Sequence, residues 1–207
     1  MGILKKFLNN ASRPKGTLGK IMLSGMTFGH RWLSAWGLSH LDGVKASTVI
    51  DLGCGSGANA LKLLEMFPSA HVTGADYSPL SVAHSKRKLE REIAAGRCAV
   101  VEANVADLPF EDASFDLATA FETVYFWPGP LESFCEVVRI LRPGGVFMIS
   151  NEAGGLEDMP VDWGRWVDGL NCYDGAALER FLREAGFSQV TVDRRPKLGW
   201  LCVVAHK

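Results

Sequence analysis

The chain has 207 residues, with 22 Lys and Arg against 23 Asp and Glu, a formal net charge of −1. With 47% hydrophobic and 22% charged residues it has the composition of an ordinary globular domain and is too apolar for intrinsic disorder. No apolar run reaches the roughly 20 residues of a membrane-spanning helix, and no glycine period marks a fibrous chain.

The charge is unevenly spread. Residues 1–47 hold seven basic residues and one acid, a net of +6, which leaves −7 on the remainder. Such a basic leader suits an acidic ligand, an anionic membrane surface or nucleic acid, and equally a solvated helix. Residues 1–45 have helical spacing, with Ile3, Leu4, Phe7 and Leu8 on one face and Ile21, Met22 and Met26 on another. The opening MGILKKFLNN is too short in apolar residues for a secretory signal, and Lys6 breaks the myristoylation pattern. The five cysteines are scattered without a C-x-x-C pair, so neither a disulfide framework nor a zinc knuckle is expected. A reducing cytoplasm is the expected compartment.

From residue 48 the pattern alternates. Thr48–Leu52 is a short apolar run before a glycine cluster and predicts a buried strand; Ala58–Phe67 predicts a helix stopped by Pro68. Ala70–Ala75 is a second strand, followed by a helix over 80–95 that Ser78 and Pro79 start and Gly96 closes. Cys98–Ala103 and Phe115–Phe121 are the third and fourth strands, and Pro130–Leu141 is a helix ended by Arg142-Pro143-Gly144-Gly145. Val146–Ser150 is the fifth strand, residues 151–172 are irregular, and Asp174–Ala185 is a helix closed by Gly186. Gln189–Asp193 and Trp200–Ala205 can pair as a hairpin. The alternation predicts an α/β fold: a Rossmann-like, doubly wound, mostly parallel seven-stranded sheet with a final antiparallel strand, plus N-terminal helices. Residues 1–47 are expected to form a helical cover and 48–207 one compact domain.

The chemistry concentrates after the first strand. Asp51 precedes Gly53-Cys54-Gly55-Ser56-Gly57, whose glycines allow a sharp turn and close approach of a ligand. A carboxylate at Asp51 suits an ammonium and would oppose a pyrophosphate. Asp76 ends the second strand, where an acid hydrogen-bonds ribose hydroxyls in doubly wound sheets, and Tyr77 beside it can lie against an adenine. Later come Asp107-Leu108-Pro109-Phe110, Ser114-Phe115-Asp116 and Leu141-Arg142-Pro143-Gly144-Gly145.

These motifs, in order from Thr48 to Asn151, resemble the class I S-adenosylmethionine-dependent methyltransferases, in particular their methyltransferase type 11, small-molecule branch. The resemblance implies S-adenosylmethionine as cofactor, with Asp51, Gly53, Cys54, Gly55 and Gly57 at its methionine moiety. It places Asp76 on the ribose, Tyr77 on the adenine, and Val105 and Phe121 against the bound cofactor. Asn104 stands where the family usually has an acid that accepts from the adenine amino group; its amide oxygen can still accept.

Phe121–Pro128 follows the fourth strand and would face the ligand crevice, four aromatics and Glu122 suiting a mostly apolar pocket. Glu122, Tyr125 and His30 are the candidate bases for a protic acceptor, Glu122 first among them. Trp36, Trp127 and Trp163 are expected around the acceptor, because the leader and the segment after the fifth strand cover that site in the family. No metal-ligand spacing occurs. The partner expected is a small-molecule methyl acceptor; the absence of [DN]-P-P-[YF] and of a Pro-Cys pair argues against nucleic acid. Two other readings stay open, a cofactor-binding regulatory protein and a nicotinamide-dependent dehydrogenase. Gly53–Ala58 fits G-x-G-x-x-A, while Asp51 and the lack of a Tyr-x-x-x-Lys dyad oppose the dehydrogenase.

Overall fold

The apolar runs of the sequence form strands whose alternate side chains face opposite layers. This is visible in a computed structural model of the chain, which describes residues 30–152 and 169–207. In chain order the elements are α1 (Arg31–Ser39), β1 (Thr48–Leu52), α2 (Ala58–Met66), β2 (His71–Asp76), α3 (Pro79–Lys88), α4 (Glu90–Ala94) and β3 (Cys98–Glu102). They continue with β4 (Phe115–Phe121), a 3-10 turn at Val124–Phe126, α5 (Pro130–Ile140), β5 (Leu141–Asn151), α6 (Gly175–Ala185), β6 (Gln189–Arg195) and β7 (Trp200–His206).

The strands make one sheet in the order β3-β2-β1-β4-β5-β7-β6. Strands β1 to β5 pair in parallel, and β7 is inserted antiparallel to both β5 and β6, so six of the seven strands share one direction. Ile50, Ala118, Phe147 and Ile149 point into the layer that holds Phe134 and Val137 of α5 and Leu178 and Leu182 of α6. Val49, Leu117 and Met148, one residue out of phase, point into the layer of α1, α2 and α3 with Leu33, Leu63 and Val82. The sheet is thus covered on both faces, as the doubly wound reading expected.

Three local outcomes differ from the sequence reading. The helix over 80–95 is broken at Leu89, which ends α3 and caps α4. Leu89 is fully buried, and the chain bends there to keep that side chain in the core. β5 begins at Leu141, paired to Phe115, and the 142–145 turn is a bulge before pairing resumes at Leu117–Val146. Of the leader, the described residues contain only α1, which is packed into the core through Leu33 and Trp36; residues 1–29 lie outside the described set.

Hydrogen bonds register the sheet at the entry end of its strands. One Asp116 oxygen accepts from the Ser47 and Thr48 amides at 2.8 and 2.9 Å, and the other takes the Arg142 guanidinium at 2.6 Å. In the last turn of α5, Arg139 donates to the Leu108 and Phe110 carbonyls at 2.9 and 2.7 Å. Glu136 accepts from the Leu108 amide at 2.9 Å. The Asp107–Phe110 motif is therefore a clamp that fixes the loop after β3.

Candidate functional site

The strand order reverses between β1 and β4, the switch point where open α/β sheets bind ligands beyond the carboxyl ends of their strands. A cavity of about 760 Å³ lies there, within the range of small-molecule sites. Gly53, Cys54, Gly55, Asp76, Tyr77, Asn104, Val105, Phe121, Glu122, Trp127 and His30 all line it, so the structure gathers most of the residues the sequence singled out.

The glycine loop is built for this approach. Gly53, Gly55 and Gly57 all have positive φ, at 77°, 53° and 75°. A Cβ on Gly53 would collide with the Thr123 side chain, its own Cβ 2.8 Å away, so the β4–α5 loop can lie directly on the turn. Gly57 caps α2 and turns toward Ser85 and Leu89, so its role is in packing rather than on the cavity wall. Cys54 is buried, and burial raises its thiol well above the usual value. It fills space against Gly74.

Asp76 is buried at the cavity wall, with one oxygen accepting from the Gly55 amide and the other from the Ser78 amide, both at 2.9 Å. The Ser81 hydroxyl also donates to this carboxylate, and of its roughly four acceptor sites one is left for a ligand hydroxyl. Burial outweighs these bonds and raises the Asp76 carboxyl above its ordinary value. Asp51 differs from the expectation of a wall residue. It is 1% exposed and lies behind the loop, because its side chain turns to β4 and accepts from the Thr119 hydroxyl at 3.0 Å. Its second oxygen is buried without a hydrogen-bond partner among the described residues. Burial, with a lesser contribution from the nearby Asp76 charge, pushes its carboxyl up to about 7.

Asn104 already uses its side-chain oxygen to accept from the Ala106 amide at 3.2 Å, in a turn closed by the Asp107 amide on the Asn104 carbonyl. Tyr77 is 40% exposed on the cavity rim.

At the other end of the cavity Glu122 sits with a left-handed φ of 58°, an uncommon state for a side-chain-bearing residue. Its carboxylate accepts from the Tyr125 hydroxyl at 2.9 Å and from the Glu152 amide, and lies 3.4 Å from His30 Nε2. Glu152 Oε2 lies 3.2 Å from the same nitrogen. Donor atoms of the three residues all fall within 4.8 Å of one another. Burial raises the Glu122 carboxyl despite the adjacent His30. For His30, burial lowers the imidazole, but the Glu152 hydrogen bond and the two carboxylate charges outweigh it and leave the value raised. Tyr125 is buried behind Glu122, which burial and the carboxylate together keep protonated.

The tryptophans divide. Trp127 is on the wall, its indole donating to Thr123 at 3.2 Å and its ring stacked on Phe147. Trp36 is not at the cavity: it packs edge-on to His40 and tilted on Trp200, with Arg195 over its ring. It follows the buried face of α1, where a large apolar side chain is worth more in the core than at a polar mouth. Trp163 lies outside the described residues.

Sequence reasoning missed Glu152, and it singled out neither Thr123 within Phe121–Pro128 nor Lys62 of α2, both of which line the cavity. The parallel register that pairs Phe121 with Ser150 brings Glu122 and Glu152 together, a signal available only once β4 and β5 are known to be neighbours.

Residues 50–149 match the family model described as a methyltransferase domain. The chain is similar to an O-methyltransferase, rstn1, of Aspergillus nomiae, 32% identical over 111 residues, which cover 54% of this chain and 49% of that one. It is also similar to the sterol 24-C-methyltransferase ERG6B of Gibberella zeae, 33% identical over 111 residues, 53% of this chain and 29% of the relative. The chain thus spans half or less of the length of these curated relatives. In fold it superposes on a methyltransferase solved with the Trm112 methyltransferase activator of Haloferax volcanii, with a TM-score of 0.79 at 21% identity over 99% of both chains. The matched segment runs from β1 through β5 and carries the glycine loop, Asp76 and the clamped loop after β3. Over residues 50–149 the chain is thus similar to methyltransferase domains, and the likeness to the S-adenosylmethionine-dependent methyltransferases implies S-adenosylmethionine as cofactor.

Proposed function

We propose that the protein transfers a methyl group from S-adenosylmethionine to a small-molecule acceptor held between Glu122, His30 and Trp127. The observation that carries this reading is the division of one cavity into two chemically different ends. A glycine loop with Asp76 and Asn104 forms one end, and a buried carboxylate paired to an imidazole forms the other.

The residues fit the cofactor. Gly53 and Gly55 give backbone without a Cβ for the methionine moiety, and the Asp51 oxygen that has no hydrogen-bond partner among the described residues offers an acceptor behind them for its ammonium. Asp76 has acceptor capacity for the ribose, Tyr77 offers a ring face to the adenine, and Asn104, Val105 and Phe121 close that end. Asn104 can accept from the adenine amino group only as a second bond beside that of Ala106, a weaker arrangement than a free carboxylate. When bound, the cofactor supplies a methyl on a positively charged sulfur, already an activated leaving group. What remains for the protein is alignment and exclusion of water. Phe126, Trp127 and Pro128 wall the acceptor end, and Glu122 with His30 forms its polar pole, Tyr125 supporting Glu122 from behind. Residues 1–47 are proposed as the cover of this end, with α1 anchoring it to the sheet.

Calorimetric titration tests the reading. S-adenosylmethionine is expected to bind, and Asp76→Ala to weaken it by tenfold or more, since a charged hydrogen-bond partner is worth about 1.5–3 kcal/mol. Binding of NADH instead would favour the dehydrogenase, and an unchanged affinity in Asp76→Ala would remove the ribose assignment.

A further inference from the structure

Two carboxylates from different strand ends converge on one imidazole nitrogen. Glu122 follows β4 and Glu152 follows β5, and the Glu122 amide donates to the Ser150 carbonyl at 2.9 Å, locking the two strand ends side by side. Both carboxylates then approach His30 Nε2, at 3.4 and 3.2 Å. An ionised carboxylate can only accept, so the proton of a neutral ring belongs on Nε2 and its lone pair on Nδ1. The carboxylates are themselves held. Glu122 takes the Tyr125 hydroxyl and the Glu152 amide, and Glu152 is hydrogen-bonded by Trp200.

Among the described residues, the charged and titratable groups around His30 are Glu122 and Tyr125 from the β4–α5 loop, Glu152 from the end of β5, and Arg31 on its own helix. Two acids facing one imidazole stabilise its protonated form, and the raised value of His30 agrees with that count. Glu122 is less suited to take a proton. Each of its oxygens already accepts a hydrogen bond, from the Tyr125 hydroxyl and the Glu152 amide, and His30 stands against it as an ion-pair partner.

Resting on the methyltransferase reading, we propose that His30 Nδ1 is the proton acceptor of the reaction and that Glu152, together with Glu122, is a positioning residue that fixes this tautomer. The acceptor is thereby assigned to the protic heteroatom class, a hydroxyl or an ammonium nitrogen. A carboxylate acceptor needs no base and would be repelled by two carboxylates, and a thiolate is nucleophilic without one. In the step, the acceptor proton passes to Nδ1 and the freed lone pair forms the new bond to the methyl carbon. The carbon–sulfur bond breaks with its electron pair on sulfur, and the imidazolium, paired with Glu122 and Glu152, returns its proton to water.

Nitrogen-15 NMR of histidine-labelled protein reads the tautomer without cofactor or acceptor, with His30→Asn identifying the signal. The expected result is a neutral ring protonated at Nε2 that titrates above 6.5. Glu152→Gln is expected to lower that midpoint by about half a pH unit or more while Glu152→Asp largely restores it. Thermal denaturation and S-adenosylmethionine titration verify that each variant is folded. An Nδ1-protonated ring, or a midpoint unchanged in folded Glu152→Gln, overturns the proposal. The acceptor class is read by incubating the wild-type protein with methyl-labelled cofactor and a metabolite extract. Label on ether oxygen or amine nitrogen supports the class, and label in esters, in thioethers or on carbon overturns it. Failure to bind S-adenosylmethionine, or no label in any fraction, is a different result, and counts against the methyltransferase reading itself.

Discussion

Gly53 is where backbone freedom and function meet most closely. Its φ of 77° lies in the region that costs a side-chain-bearing residue roughly 1–2 kcal/mol. The missing Cβ leaves the space that Thr123 occupies. Thr123 in turn accepts from the Trp127 indole, so one glycine sets the distance between the loop at the methionine end and the aromatic wall at the acceptor end. Gly53→Ala is therefore expected to do two things at once. It should lower stability by more than the backbone cost alone, and it should weaken S-adenosylmethionine binding tenfold or more, because the added methyl must push the β4–α5 loop away. Gly96→Ala, at a φ of 70° with open space around its Cβ, bears the backbone cost without the collision. A calorimetric comparison separates the two effects, since Gly96→Ala should retain cofactor affinity.

At the scale of elements, caps and apolar periodicity were legible because they are local. Ser78 accepts from the Ser81 amide, and Asp174 accepts from the Ala177 amide at 2.7 Å, where the sequence placed these helix starts. Gly186 closes α6 at a φ of 115°. What local reading could not reach was the break at Leu89 and the bulge at 142–145. Both are imposed by packing: one by a side chain that must enter the core, the other by the pairing of Leu141 with Phe115 across β4. Helix α6 lends itself to a clean test, because Leu178 and Leu182 are fully buried against the sheet while none of its residues lines the cavity. Asp174→Ala should destabilise the protein by about 1 kcal/mol in urea denaturation. Cofactor affinity should not change, and a parallel loss would mean that α6 is coupled to the site.

Across the whole molecule, the cofactor end was far more legible than the acceptor end. Asp51, the glycines and Asp76 come from one strand–turn–helix–strand run, so their spacing in sequence is nearly their spacing in space. His30, Glu122 and Glu152 come from three separated segments, the start of α1 and the ends of β4 and β5, brought together by the β4–β5 pairing and by α1 packing on β5, and no spacing rule could pair them. The division also shapes the response to pH, because the site collects acids in a buried place. Asp51 is raised from 3.8 to about 7 by burial first and by Asp76 second, and Asp76 and Glu122 are raised by burial as well. A group that binds its proton more tightly when folded stabilises the fold at low pH and loses that contribution as pH rises through its folded value. For Asp51 the window runs from about 4 to about 7, with a loss on the order of 4 kcal/mol across it. His30, also raised, acts in the same direction above its unfolded value. The opposite sign applies to Glu136 and Asp193, held low by Arg139 and His40, whose contributions vanish only as pH falls below the ordinary carboxylate range. The thermal midpoint of the cofactor-free protein should therefore be highest in the acid range, near pH ~4, and decline toward pH ~7. Asp51→Asn cannot ionise, and should flatten that decline. If Asp51→Asn declines as steeply as the wild type, the buried carboxyl is not the source, and the slope must come from Asp76, Glu122 and His30 at the cavity wall.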